Sequence, residues 1–410
     1  MPRVRALAGV AVTAATVTAV ATVPASAVDP VGRNVRCDAG ALVAAIRDAN
    51  SAGGGTLTLA HKCLYTLTAP DNGDNGLPVI TSRITVHGSG STVARSTWAR
   101  TPEFRIFSVS GPYAALTLTD LTVRDGRAPG RGDGGGIRVG NGGALTLDRV
   151  DVVKNVATGG GGGIAGENSE ITVRNTLVGD NTAAGGNGGG LQQSGGTARF
   201  WNSAVTGNAA FSHGGGVHAS GGGTTTILEH TKVADNAAGA NGGGVHTGSS
   251  PTTTLKDTQV IGNTARVSGG GLYGSATVSD GKVFHNSAGQ GGGLHVTGGA
   301  RATTLTGTLV YNNTATDGRG GGILNEAQLE LDRSHVHANH APDGAGGGLV
   351  NQGGGARATL KSSSVTYNVA RDAPGGILNE GTVTLLSSTV ANNFPTNCQG
   401  TPVPVPGCAD

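Results

Sequence analysis

The feature that most constrains this chain is a Val-x-x-Asn signature that occurs ten times, at Asn155, Asn181, Asn208, Asn236, Asn263, Asn286, Asn313, Asn339, Asn368 and Asn393. The intervals run from 23 to 29 residues, a spacing that marks stacked repeats rather than independent globules. A valine stands three residues before every asparagine, from Val152 to Val390, and an apolar residue eight before, from Leu147 to Leu385. Alanine follows two residues later in nine copies, with Pro395 in the tenth. Between copies a glycine cluster leads into an aliphatic residue, as at Ile137, Leu191, Val245 and Ile377. Leu118, Val123 and Ala128 form an eleventh, degenerate copy with Gly126 in the asparagine slot.

Each unit holds about three short apolar stretches, alternating with period 2 where they are long enough, as in Leu145-Thr146-Leu147 and Leu329-Glu330-Leu331. No 3.6-residue stripe runs through them. Such a unit is too short for strand-helix pairs or a four-stranded propeller blade, and it lacks the pattern of leucine-rich repeats. The expected fold is all-β, a single parallel β-helix of about 12 coils in which equal positions stack roughly 4.8 Å apart. The valines should fill the interior, and the asparagines should form a hydrogen-bonded ladder at a left-handed corner. Glycine, 75 of 410 residues, is far below the one-third that collagen needs, and 36% hydrophobic content is too high for a solvated disordered chain.

Met1 to Ala27 carries Arg3 and Arg5, an apolar run and Ala25-Ser26-Ala27, the pattern of a secretory signal peptide. Formal charge is +2 with 28 bases and 26 acids; without that segment's two arginines the balance is 26 to 26. Neutrality of this kind gives no support to nucleic-acid binding or electrostatic membrane attachment. No later apolar stretch is long enough for a membrane-spanning helix. The expected organisation is a signal peptide at 1–27, an N-terminal cap at 28–55, the β-helix at 56–394 and a C-terminal cap at 395–410. Within the first cap, Ala39 to Asn50 reads as an amphipathic helix behind an Asp38 N-cap. The four cysteines allow three connectivities; local pairing, Cys37-Cys63 and Cys398-Cys408, would close one short loop at each end in an oxidising compartment.

Candidate site residues come from the predicted rows. One residue past the aliphatic that follows each glycine cluster, an outward column should carry Gln192, His218, His246, Tyr273 and His295, a strip suited to a sugar chain or a transition metal. The same column continues as Leu324, Val350 and Leu378, an apolar stripe for a partner. Leu324-Asn325-Glu326, Val350-Asn351-Gln352 and Leu378-Asn379-Glu380 read as a second asparagine ladder with polar edges. Asp71 and Asp74 in a turn-rich segment could hold calcium, although turn chemistry explains them equally well. His335, His337 and His340 are a weaker metal candidate, and a threonine row from Thr146 to Thr384 is interrupted by Arg199, Ile227 and Glu330. No cofactor is called for.

Cys37, Leu42, Ala45-Ile46, Ala49-Asn50, the strand-like Thr56 to Leu59 and Leu64 to Thr68, Ile84-Thr-Val-His-Gly-Ser-Gly and Phe104-Arg-Ile-Phe-Ser-Val resemble the opening of secreted right-handed parallel β-helix proteins with a CSLREA-type segment. The glycine-aliphatic and Val-x-x-Asn units resemble polymorphic outer-membrane-protein repeats. Here Cys37 is followed by Asp-Ala-Gly rather than Ser-Leu-Arg-Glu, and the outer-membrane relatives' translocating barrel has no counterpart, which argues against self-transport. The resemblance implies a right-handed coil and export but specifies no activity. The resulting expectation is a secreted or cell-surface β-helix with a binding or structural role, its partner an extracellular polysaccharide or an envelope component. The alternative is a polysaccharide lyase or glycoside hydrolase working in an outer groove, although no Asn-Thr-Asp, Asp-Asp or Gly-His-Gly motif of the polygalacturonase kind is present. Oligomeric state is not specified by the sequence.

Overall fold

The computed structural model describes residues 32–298 and 301–410; the signal peptide expected at 1–27 lies outside them. The chain winds into a right-handed parallel β-solenoid of about thirteen turns. The strand pairings between coils are parallel and in register apart from local shifts between His87 and Ser91 and between Ala265 and Ser268, and the repeat valines lie on one another from Val123↔Val152 through Val233↔Val260 to Val365↔Val390. All are buried. Burial of each such side chain contributes about 1.5–3 kcal/mol, repeated at every level of one continuous core.

The unit has four strand segments rather than three. In one coil these are Val217–Ser220, Thr225–Glu229, Lys232–Ala234 and Ala237–Ala238. The fourth is only two residues long, and its inward position is the repeat alanine, too small to give an apolar signal. Left-handed residues stand between all the segments: Gly221 (φ 80°) and Gly223 (φ 77°) between the first two, and the other three corners at His230 (φ 48°), Asp235 (φ 55°) and Gly242 (φ 67°). Two of the three therefore accept residues with a side chain, and the left-handed residue is the one before the ladder asparagine, not the asparagine itself. At the third corner glycine is required. A Cβ on Gly243 would lie 2.4 Å from Gly270 O and 2.5 Å from Thr264 O, and one on Gly244 would lie 2.7 Å from Gly271 O. Neighbouring coils approach there backbone to backbone.

The ladder closes its own hydrogen-bond account. Asn236 donates from Nδ2 to Val205 O at 3.0 Å and to Asn263 Oδ1 at 2.9 Å. Its Oδ1 accepts from Asn208 N and Asn208 Nδ2 at 3.0 and 2.9 Å. Two donors and two acceptors are all used, and the pattern repeats from Asn155 to Asn393. Gly126 N and Asn397 Oδ1 complete the two ends.

Both ends are covered. The helix Ala39–Ser51 starts at Asp38, whose carboxylate accepts from Ala41 N at 2.7 Å, and buries Leu42, Ala45, Ile46 and Ala49 against the first turns. At the other end Ile377 N donates to Asn397 O and Val403 N to Asn379 O, so the tail occupies part of the place of a further coil. Disulfides Cys37–Cys63 and Cys398–Cys408 hold these caps.

Candidate functional site

The column from Gln192 to His295 exists as expected: Gln192↔His218, His218↔His246, His246↔Tyr273 and Tyr273↔His295 are in register. Its exposure does not follow the expectation. His218, His246 and His295 are only 6%, 9% and 7% exposed, and only Gln192 and Tyr273 are half-buried. The cause is the glycine corner, which folds back over the row. A Cβ on Gly214 would meet His218 Cβ at 2.8 Å, and one on Gly242 would meet His246 Cβ at 2.8 Å. His213, immediately before Gly214, places its ring centroid 4.7 Å from that of His246. His218, His246 and Tyr273 stack at 4.9 Å spacings, so much of each ring face is covered by its neighbour. A flat platform for a sugar is therefore not what this row offers.

The buried rings are held neutral. Nδ1 of His213, His218, His246 and His295 has no hydrogen-bond partner. Desolvation pushes His218 down to about 4 and His246 down to about 3, with repulsion among the imidazoles adding to it. Burial also lowers His295, opposed by the Glu326 carboxylate. His295 Nε2 lies 3.2 Å from Glu326 Oε2 but is not aligned as a hydrogen bond.

The lower part of the column is also covered. Leu324, Val350 and Leu378 form a small apolar cluster outside the main core, packed with Ala345; they are buried, not a free stripe. Beside them the second asparagine ladder is present, Asn325 Nδ2 to Asn351 Oδ1 at 2.7 Å and Asn351 Nδ2 to Asn379 Oδ1 at 2.9 Å. Its polar edge continues outward: Gln352 donates to Glu326 at 3.1 Å, and Glu380 accepts from Gly353 N at 3.1 Å.

This edge borders a groove of about 780 Å³. Arg319, two coils before Glu380, bridges to its carboxylate at 2.6 Å. Gln290, Asp317, Asp343 and Asp372 supply further polar groups, and Leu378 and Ala345 give it an apolar floor. Of these residues the sequence had singled out only Gln352, Leu378 and Glu380. The others sit in the glycine corners, which looked like plain turns; the repeated position before the left-handed glycine, occupied by His213, Gln290 and Arg319, was the available signal.

Of the metal candidates, Asp71, His335 and His337 are engaged otherwise. Asp71 pairs with Arg47 at 2.5 Å and accepts from Asn72 at 2.9 Å. His335 contacts Ser364 Oγ at 2.8 Å, and His337 stacks on Tyr311, which stacks on Phe284. Among the described residues no three His, Cys, Asp or Glu side chains form a metal-binding group, and no helix is long and apolar enough to cross a membrane.

No protein-family model matches the chain, and no curated protein matches it. Among solved structures, the A-module of the mannuronan C-5 epimerase AlgE6 from Azotobacter vinelandii is similar at 15% identity and a TM-score of 0.45, over 88% of this chain and 99% of that one. The tailspike protein of E. coli bacteriophage HK620, in complex with a pentasaccharide, is similar at 13% identity and a TM-score of 0.36, over 85% and 62%.

Proposed function

We propose that this is a secreted or cell-surface β-helix that binds polysaccharide in the outer groove beside the second asparagine ladder. The observation that carries the reading is the groove itself: amide, carboxylate and guanidinium groups from successive coils above an apolar floor. Sugars need that combination, hydroxyls bonding to planar polar groups while ring C–H faces cover aliphatic carbons. A stack with a rise of about 4.8 Å per coil offers such groups at regular intervals to an extended ligand. The Asp317, Asp343 and Asp372 carboxylates favour uncharged sugar residues here over a polyuronate. The two disulfides support export to an oxidising compartment.

Affinity retention on a panel of neutral and acidic polysaccharides tests this reading. A neutral polymer should be retained by the native protein and at least roughly tenfold more weakly by Gln352→Ala and Arg319→Ala, each removing polar contacts. Retention of no polysaccharide overturns it. Release of unsaturated or reducing ends during incubation would replace a binding role with a lyase or hydrolase.

A further inference from the structure

The irregular first turns hold a second pocket of different character, about 390 Å³ in volume. Strand Arg83–Arg95 leads into the outward loop 96–103, which is tightened by a turn in which Thr101 N donates to Trp98 O at 2.9 Å. Trp98 is 70% exposed and lines the pocket. Arg95, at the root of the loop, is only 8% exposed.

The Arg95 guanidinium donates to two neutral carbonyls, Pro102 O at 2.8 Å and Thr101 O at 2.9 Å, and lies 5.8 Å from the Phe104 ring centre. Glu103 and Asp125 also line the pocket but are paired, with Arg127 at 3.3 Å and Arg124 at 2.8 Å. Among the described residues, neither Arg95 nor the pocket-lining Lys154 has a carboxylate within ion-pair distance. Burying a cation without a paired anion is unfavourable, and burial pulls the Arg95 guanidinium below its ordinary range. A buried guanidinium, an exposed ammonium and a broad apolar indole around one cavity define a ligand with a carboxylate on a ring that presents C–H groups.

We propose that this pocket binds a uronic acid residue of a polysaccharide, its carboxylate taken by Arg95 and Lys154 and its ring packed on Trp98. The inference rests on the polysaccharide reading for its ligand class, while its location is independent of the groove. A ligand that serves both sites would be a heteropolysaccharide, mostly uncharged, with acidic residues at intervals.

The chain has two tryptophans, Trp98 and Trp201, so a Trp201→Phe background leaves Trp98 as the sole indole reporter. Its emission should change saturably with an oligogalacturonate or oligoglucuronate, and roughly tenfold or more ligand should be needed in Lys154→Ala. A neutral oligosaccharide of equal length should bind at least roughly tenfold more weakly. Arg95→Gln, confirmed folded by circular dichroism, should abolish the preference for the acidic ligand. No saturable response to any uronate, an equal response to the neutral oligomer, or undiminished affinity in Lys154→Ala would each overturn the proposal. Sulfate competing as strongly as the oligouronate would reduce the pocket to a simple anion site and overturn it as well. Retention of neutral polysaccharide by the Gln352-sensitive groove, alongside a silent Trp98, would sink the pocket alone; no binding in either assay would sink both readings.

Discussion

The asparagine ladder and the histidine column are both rows of like side chains repeated one coil apart, and they differ in how their polar atoms are satisfied. Asn236 uses all four of its amide bonds, to three neighbouring residues. His218 and His246 stack just as regularly, yet each leaves Nδ1 unpartnered under the glycine corner. A repeated polar residue thus either ties coils together or is merely covered by them, and the difference lies in whether its geometry reaches backbone groups of the adjacent coil. The ladder should behave as a structural tie, and the column as a pH-sensitive packing element.

The largest effect should come from breaking the ladder. Asn236→Ala leaves Val205 O and the Asn208 donors without their side-chain partner and Asn263 Oδ1 with only the backbone N–H of residue 236, and the loss is expected at about 3–5 kcal/mol, read as a fall in the guanidinium unfolding midpoint. A smaller loss, below about 1 kcal/mol, would show that water replaces the ladder bonds.

The histidine column should show its effect only in acid. Folded-state values near 4 and 3 for His218 and His246 lie below the ordinary value of 6.5, so the unfolded chain binds more protons. Stability is therefore retained above pH 6.5 and falls as the pH drops through the range from 6.5 toward 3, by a few kcal/mol for each buried imidazole. His246→Phe removes one such imidazole while keeping a planar ring. At pH 7 its stability should stay within about 1.5 kcal/mol of the native protein, and its acid unfolding midpoint should move to lower pH. An unchanged acid midpoint would mean that the column does not govern acid lability.

The most local effect should be at the C-terminal cap. Replacing Cys398 and Cys408 together by serine opens a loop of 10 residues, worth about 2–3 kcal/mol in the chain-entropy view. That loss should be confined to residues 395–410 and to the Asn393 end of the ladder, seen as faster amide exchange there while the Asn236 region is unchanged. Uniformly faster exchange would make the cap part of the global unfolding unit.

Much of the architecture was legible because side chains repeat at equal positions. The Val-x-x-Asn spacing specified the register of every regular coil, and Leu42, Ala45, Ile46 and Ala49 specified the buried face of the capping helix. The fourth segment was not legible, since Ala238 and its counterparts are too small to announce a strand. Coverage of His218 and His246 was not legible either: the glycines that permit close approach looked like short turns, and nothing local in the sequence shows a corner folding back on the next strand. Arg319 and Glu380 are 61 residues apart and meet only through the stacking of coils. Trp98 and Arg95 lie where the repeat is irregular, so no periodic pattern pointed to them.

The central functional claim is that an extended glycan lies against the glycine corners of the last coils. Amide hydrogen exchange, measured with and without the polysaccharide that the protein retains best, tests it most directly. Slower exchange at 317–319, 343–345 and 372–380, with the outward threonine row around Thr254 and Thr277 unchanged, is the predicted result. Protection centred on that threonine row, or none at those corners, would contradict it.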